Sequence, residues 1–194
     1  MRKYWMMMVA VLLIGSTALG QEEKVVEKVS KKEARKEKRA QEQRAFEINK
    51  AYGINLIEDR DFVLQANRIS GRNNMPIVVD RGVNFVKING DQMVIQFGLN
   101  SRLGNNGLGG TTFQGRIMSL DTEDWGEGKA YSARIQFYTP VLNGVATVNL
   151  TVRGSQARAS LWSNGRVINF EGRYGAGAET IVAESVNNRV ILAN

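Results

Sequence analysis

From Glu58 onward, apolar and polar residues alternate with a period of two. Phe62, Leu64 and Ala66 fall on one side of the chain, and Val63, Gln65 and Asn67 on the other. The same alternation sets Met93, Ile95, Phe97 and Leu99 against Gln92, Val94, Gln96 and Gly98. It recurs with Tyr131, Ala133, Ile135 and Phe137, with Ala146, Val148, Leu150 and Val152, with Ala157, Ala159 and Leu161, and with Ile168 and Phe170. Successive side chains of a strand point to opposite faces, so this pattern predicts strands with one face on a core. Strands are expected near 61–69, 76–80, 83–89, 92–99, 111–121, 130–138, 145–153, 156–163, 166–174 and 180–192. Asn89-Gly90, Asn143-Gly144 and Asn164-Gly165 punctuate them as hairpin turns, because both central residues of a type I′ turn need positive φ. Arg81-Gly82, Gly126 to Gly128 and Gly154-Ser155 are weaker turn signals. Short connections favour a meander. The expected fold is all-β, an antiparallel meander forming a small barrel or a curved sandwich.

The pattern changes upstream. Segment 24–44 is rich in Lys, Glu, Ala, Arg and Gln, which are good helix formers, and pairs such as Glu27 with Lys31 have helix-supporting spacing. It has no sustained apolar stripe, so it reads as a solvated helix or a disordered tether. The alternative is a basic arm lying on anionic lipid or polymer, but seven interleaved Glu residues weigh against it. Ala45, Ile48 and Tyr52 then have the spacing of a helix face that docks on the following domain. At the start of the chain, Met1-Arg2-Lys3 precedes an uncharged run from Tyr4 to Ile14, and Ala18 and Gly20 are small residues at a cleavage position. This is the pattern of an export signal, and the run is too short for a membrane-spanning helix. The expected organisation is a signal peptide at 1–20, a charged helical or disordered arm at 21–52 and an antiparallel β domain at 53–194. The protein is expected to be periplasmic or secreted, with no membrane span after cleavage. No Cys follows the signal to carry a lipid.

Composition narrows the chemistry. The 194 residues include no His and no Cys. That excludes disulfides, thiol nucleophiles, imidazole bases and the usual zinc, copper and iron sites. No metal and no cofactor is expected. The net charge of +7 points at first to an acidic partner. However, residues 22–52 hold ten basic and seven acidic residues, and 53–194 hold 14 and 12. The folded part is nearly neutral, so no nucleic acid is expected.

Four groups of residues are candidates for function. The run Gly104 to Thr112 contains Asn106, Gly107, Leu108, Gly109 and Gly110. It lacks the Lys and the following helix of a phosphate loop, so it reads as a link between strands or a ligand-contacting loop at a barrel mouth. Arg116, Arg134 and Arg158, with Arg166 and Arg173, fall on the polar registers of their strands. Side by side they would form a face able to hold carboxylate or phosphate, or a solvated face with cross-strand acid partners. Asp121, Glu123, Asp124 and Glu127 surround Trp125-Gly126, but Trp125 and Ser132 stand where a calcium loop needs oxygen ligands, so an acidic hairpin tip is the better reading. Glu58, Asp59 and Asp61 adjoin Arg60 and read as a helix-to-strand junction.

Several phrases together carry a resemblance: 56–69 (LIEDRDFVLQANRI), 83–98 (VNFVKINGDQMVIQFG), 105–117 (NNGLGGTTFQGRI) and 144–161 (GVATVNLTVRGSQARASL). They resemble a family of uncharacterised exported β-rich domains common in Bacteroidota. The matching positions are Glu58, Asp61, Phe62, Asn84, Phe85, Val86, Gly90, Asp91 and Asn106 to Gly110, and the similarity covers roughly 45–194. The resemblance implies a signal sequence, a short charged helix and a β domain. It transfers no catalytic residue, because the family has no assigned activity.

The expected function is that of a non-catalytic cell-envelope binding or interaction module. Its contact surface would be the loop from Asn106 to Gly110 or the face bearing Arg116, Arg134 and Arg158, and its partner an envelope component or small ligand. An alternative is a carrier of a small apolar ligand in a barrel cavity lined by Met93, Phe97, Ile135 and Phe137. A third reading, a hydrolase using Glu58, Asp61 or Asp121, requires two carboxyls facing each other in a cleft.

Overall fold

The structure is a computed structural model and describes residues 31–73, 75–98, 110–163 and 165–177. Residues up to Arg44 and those from Ala45 onward form two separate units. In the first, residues 31–44 are helical and exposed throughout, with Lys38 and Glu42 4.0 Å apart one turn along. The helix reading of this segment therefore holds from residue 31. Residues 24–30 lie outside those described, as does the strand expected at 180–192.

The second unit is a closed barrel. After helix α1 (residues 31–58) come β1 (Asp61–Ser70), β2 (Ile77–Val78), β3 (Phe85–Asn89), β4 (Gln92–Gly98) and β5 (Gly110–Asp124). They are followed by β6 (Tyr131–Thr139), a 3-10 turn at Pro140–Leu142, β7 (Gly144–Arg153), β8 (Gln156–Ser163) and β9 (Arg166–Gly175). Every pairing is antiparallel in sequence order, and β9 returns to β1. Eight strands thus close the barrel, while β2 only extends the edge of β1 beyond β3 through Arg68 and Ile69. The open choice between barrel and sandwich is settled by the β1–β9 ladder. An even number of strands lets an up-and-down meander close with antiparallel neighbours throughout.

Closure requires small residues where strands crowd. The β1–β9 register slips between Ala66 and Arg68, and Gly172 sits opposite Ala66. A Cβ on Gly172 would lie 1.9 Å from the Gln65 carbonyl oxygen. Gly115 of β5 is held as closely, 2.0 Å from the Tyr138 oxygen.

The inward registers are those expected from the alternation. Phe62, Leu64, Ile88, Met93, Ile95, Ile135, Phe137, Val148, Leu150, Ala159 and Phe170 form one buried cluster. The outward registers are polar along most of the barrel. One row runs Asp121, Arg134, Asn149, Ser160 and Asn169, and the next runs Glu123, Ser132, Thr151, Arg158 and Glu171. A membrane-spanning barrel has the reverse arrangement, apolar outside. Among the described residues no helix is long and apolar enough to cross a membrane.

The C-terminal half of α1 stoppers one end of this barrel. The docked face is Phe46, Lys50, Gly53 and Ile57, at helical spacing. This corrects the expected face of Ala45, Ile48 and Tyr52, because Ala45 is exposed and Ile48 is 70% exposed. Only Tyr52 of that trio meets the barrel, stacking 6.3 Å from Tyr174. Choosing the face by apolar residues alone missed two features. Lys50 buries its stem while its ammonium donates to Asp124 Oδ1 at 2.6 Å and to the Gly126 carbonyl at 2.8 Å. Gly53 lets the helix approach so closely that a Cβ there would lie 2.8 Å from Val152 Cγ1. The acidic tip expected at 121–127 is the β5–β6 hairpin end, and it serves this contact. Asp124 is engaged by Lys50, and the Gly128 amide donates to Glu47. The Lys50 ammonium, with the Gly126 amide, holds the Asp124 carboxyl below its ordinary range. The contact is therefore retained until pH falls through that lowered value.

Tyr174 lies under the helix, its hydroxyl within reach of the Asn49 and Gly154 carbonyls at 2.5 and 2.6 Å. One proton serves two acceptors. Burial pushes this phenol up to about 12. A phenol that resists ionisation in the folded state contributes stability below pH 10 that is lost as pH rises towards 12. Chemical denaturation between pH 9 and pH 12 (roughly the range spanning the two values) should show a steeper loss for the natural protein than for Tyr174→Phe. Equal slopes would mean that the hydroxyl is not confined as described.

Candidate functional site

Among the described residues no α-helix covers the barrel's other end. There β4 ends at Gly98, β5 begins at Gly110, the Pro140–Leu142 turn joins β6 to β7, and β8 and β9 meet around Ser163 and Arg166. A cavity of about 510 Å³ opens at this mouth. Its lining is Phe97, Thr111, Phe113, Leu142, Leu161, Ser163, Arg166 and Ile168. The physical origin is visible in the strand ends. Deeper in the barrel, large side chains such as Phe137, Ile135 and Met93 are fully buried and fill the lumen. Towards the mouth the inward positions shorten to Thr111, Gly144 and Ser163. Eight-stranded barrels have an interior just wide enough either to be filled or to hold one small ligand, and this one does both at different depths.

The walls are mostly apolar and aromatic. Phe97 stacks on Phe113 at 6.0 Å and meets Phe170 edge-on at 6.3 Å. Among the lining residues the polar groups are the hydroxyls of Thr111 and Ser163 and the Arg166 guanidinium. Thr139 occupies the inward register of β6 at the same end and is fully buried. Its Oγ1 is the one buried side-chain polar atom among the described residues without a hydrogen-bond partner.

The residues expected to form sites are dispersed. Asn106, Gly107, Leu108 and Gly109 lie outside the described residues. Gly110 opens β5 opposite Gly98, at the mouth, where a Cβ would lie 1.8 Å from the Phe97 carbonyl oxygen. Arg116, Arg134 and Arg158 are all exposed on the outer surface, but they are not gathered. Arg116 pairs across to Gln92 and Tyr138, Arg134 to Asp121 and Asn149, and Arg158 to Thr151 and Glu171. Arg158 and Glu171 form a loose ion pair at 3.8 Å. With Arg68, Ser70, Pro76 and Asn169 they border a recess of about 80 Å³. Both acidic neighbours fit a solvated face with cross-strand partners.

Of the four side chains expected to line a carrier cavity, only Phe97 does so. Met93, Ile135 and Phe137 are packed in the filled part of the lumen. The periodicity placed them inward correctly, but it carries no information on the depth at which filling stops. Sequence reading missed Leu142, Leu161, Ser163 and Ile168 as lining. It named Arg166 as an anion-binding candidate but on the outward polar register, whereas Arg166 lies on the inward register beside Ser163. Their common signal is position, since each lies within a few residues of a chain reversal at the same end. Glu58 and Asp121 are exposed, and Asp61 accepts the Gly177 amide at 2.9 Å. These carboxylates do not line the mouth cavity. Among the described residues no group of three or more acidic side chains is placed to hold a metal ion.

A family model described as a domain of unknown function (DUF4251) matches residues 39–173. The crystal structure of a DUF4251 family protein from Bacteroides eggerthii DSM 20697 is similar, with 22% sequence identity and a TM-score of 0.57. The match covers 71% of this chain and 94% of that one. No curated protein matches the chain.

Proposed function

The chain belongs to the DUF4251 family, and on that footing we propose that it is a non-catalytic binding module whose barrel mouth takes a small amphiphile. The observation that carries this reading is the cavity of about 510 Å³ at the end of the barrel opposite α1. Its size falls in the roughly 300–1,000 Å³ range of small-molecule pockets. Its aromatic and aliphatic walls suit an alkyl or ring portion of a ligand. Arg166, a permanent cation at the wall, suits an anionic head such as a carboxylate or phosphate. The hydroxyls of Thr111 and Ser163 can donate to the same head.

A binding rather than a catalytic role is favoured by the lining. Among the described residues it contains no carboxylate, lysine or tyrosine to move a proton. The signal-like residues 1–20 support work in the cell envelope, where amphiphiles are abundant.

The test is calorimetric titration of the protein with a single-chain alkyl carboxylate, with the corresponding alcohol and with acetate. Saturable binding of the carboxylate, weaker binding of the alcohol and none of acetate is expected. A heat-capacity decrease on binding should mark apolar burial. Equal responses to carboxylate and acetate, or no response to the long-chain ligand, would contradict a mouth site.

A further inference from the structure

The outer surface of the barrel changes character along its axis. Near the helix-capped end and at mid-barrel, the outward rows hold Asp121, Glu123, Arg134, Arg158 and Glu171. Towards the mouth they become apolar. Tyr138 sits directly opposite Val145 on β7, Trp162 of β8 faces Thr147 two residues further along β7, and Val167 faces Trp162. Met118 stands on the β5 bulge beside this row, and Val141 crowns the 3-10 turn. On the barrel's other flank, Ile77 and Val78 pair with the mouth half of β1, and exposed Met75 precedes them in the chain. Of the eleven exposed large hydrophobic side chains among the described residues, these positions supply eight: Met75, Ile77, Val78, Met118, Tyr138, Val141, Val145 and Trp162. Only Ile48, Tyr52 and Trp125 lie elsewhere.

Beside Tyr138, Val145 and Trp162 the interspersed charges are arginines, whereas on the β2 flank Arg68, opposite Val78, also pairs across β9 with Glu171, and Asp80 is exposed just beyond Val78. Arg116 is opposite Tyr138, and Arg166 lies at the start of β9 by Ser163. Arg68 pairs with Val78, and Arg72 follows the end of β1. No carboxylate occupies the cross-strand rows of Tyr138 or Trp162. Exposed aromatic and aliphatic side chains mixed with arginine fit the boundary between lipid headgroups and acyl chains. There an amphipathic ring lies at headgroup depth and a guanidinium pairs with phosphate.

We propose that the mouth rim docks on a bilayer bearing anionic headgroups. Docking would set the open cavity against the membrane, so that its amphiphile enters from lipid rather than from water. This inference rests on the reading of the mouth as an amphiphile site, but the docking itself is measured separately from it.

The experiment is co-sedimentation of the full chain with vesicles of phosphatidylcholine alone and of phosphatidylcholine with phosphatidylglycerol. The variants are Val145→Glu/Trp162→Glu at the rim and Trp125→Glu at the opposite end. Both tryptophans are 51% exposed, so neither variant empties a core position. Binding to the anionic vesicles is expected. The rim variant should weaken it by about tenfold or more, and Trp125→Glu should leave it unchanged. Titration of each variant with the soluble alkyl carboxylate runs in parallel. Retained carboxylate binding without vesicle binding overturns the docking alone, while loss of both in the natural protein overturns the mouth site as well. Undiminished sedimentation of the rim variant would place the membrane contact elsewhere, the charged arm included, and overturn the proposal. So would a dimer in solution that the rim variant dissolves, because the rim would then be covered by a second copy.

Discussion

Replacing Gly172 with alanine is expected to destabilise the fold by about 3 kcal/mol or more, at the upper end of overpacking costs. The added methyl would lie 1.9 Å from the Gln65 carbonyl oxygen and 2.9 Å from Ala66 Cα, both backbone atoms. Neither can rotate away as a side-chain tip would, so β1 and β9 must separate at the register shift where the barrel closes. For a chain of this size, that loss corresponds to a melting point lower by about 6–12 °C. Gly71→Ala is the matching control, because nothing lies within 4 Å of the place its methyl would take. Thermal denaturation followed by circular dichroism distinguishes the two. A Gly172→Ala protein that melts with the natural one would mean that the two strands are not as tightly joined as described.

The second large effect is expected on binding. Ser163→Trp places an indole at the wall of the mouth cavity, among Phe97, Leu161 and Ile168. The cavity has room for it, so the melting point should change little, while the space for an alkyl chain is taken. Affinity for an alkyl carboxylate should fall by about a hundredfold, which corresponds to roughly 2.7 kcal/mol. Unchanged affinity in Ser163→Trp would place the ligand elsewhere. Stability and binding are thereby separated, with Gly172 governing closure and Ser163 governing occupancy.

The strands were the most legible part of the sequence. Period-two alternation and the Asn-Gly pairs placed β1 and β3 to β9 within a few residues. The expected type I′ geometry is absent at two of the pairs, since only Gly90 of the first and only Asn143 of the second, the cap of the Pro140–Leu142 turn, have positive φ. Closure was not legible. The contact between Ala66 and Gly172 joins residues far apart in the chain, and it depends on a register slip that no local pattern announces. The docked helix face was misread for a related reason. Lys50 looks solvent-bound in sequence, but its ammonium finds Asp124 and Gly126 at a hairpin tip that only the folded barrel brings near. The outer arginines were assigned to the correct registers, but whether they gather depends on strand order and stagger. Arg134 finds Asp121 across the ladder, and Arg158 finds Glu171. The cavity was anticipated in kind and misplaced in depth. Alternation identifies which side chains face inward, whereas the end of filling depends on where the α1 stopper sits and which strand ends carry short residues.

The most direct measurement is an amide NMR titration of the protein with a single-chain alkyl carboxylate. A mouth site predicts saturable shifts at Phe97, Phe113, Leu142, Leu161, Arg166 and Ile168, with Lys50 and Tyr174 at the stoppered end unmoved. Shifts centred on the recess between Arg68 and Arg158, or the absence of any saturable shift, would contradict it.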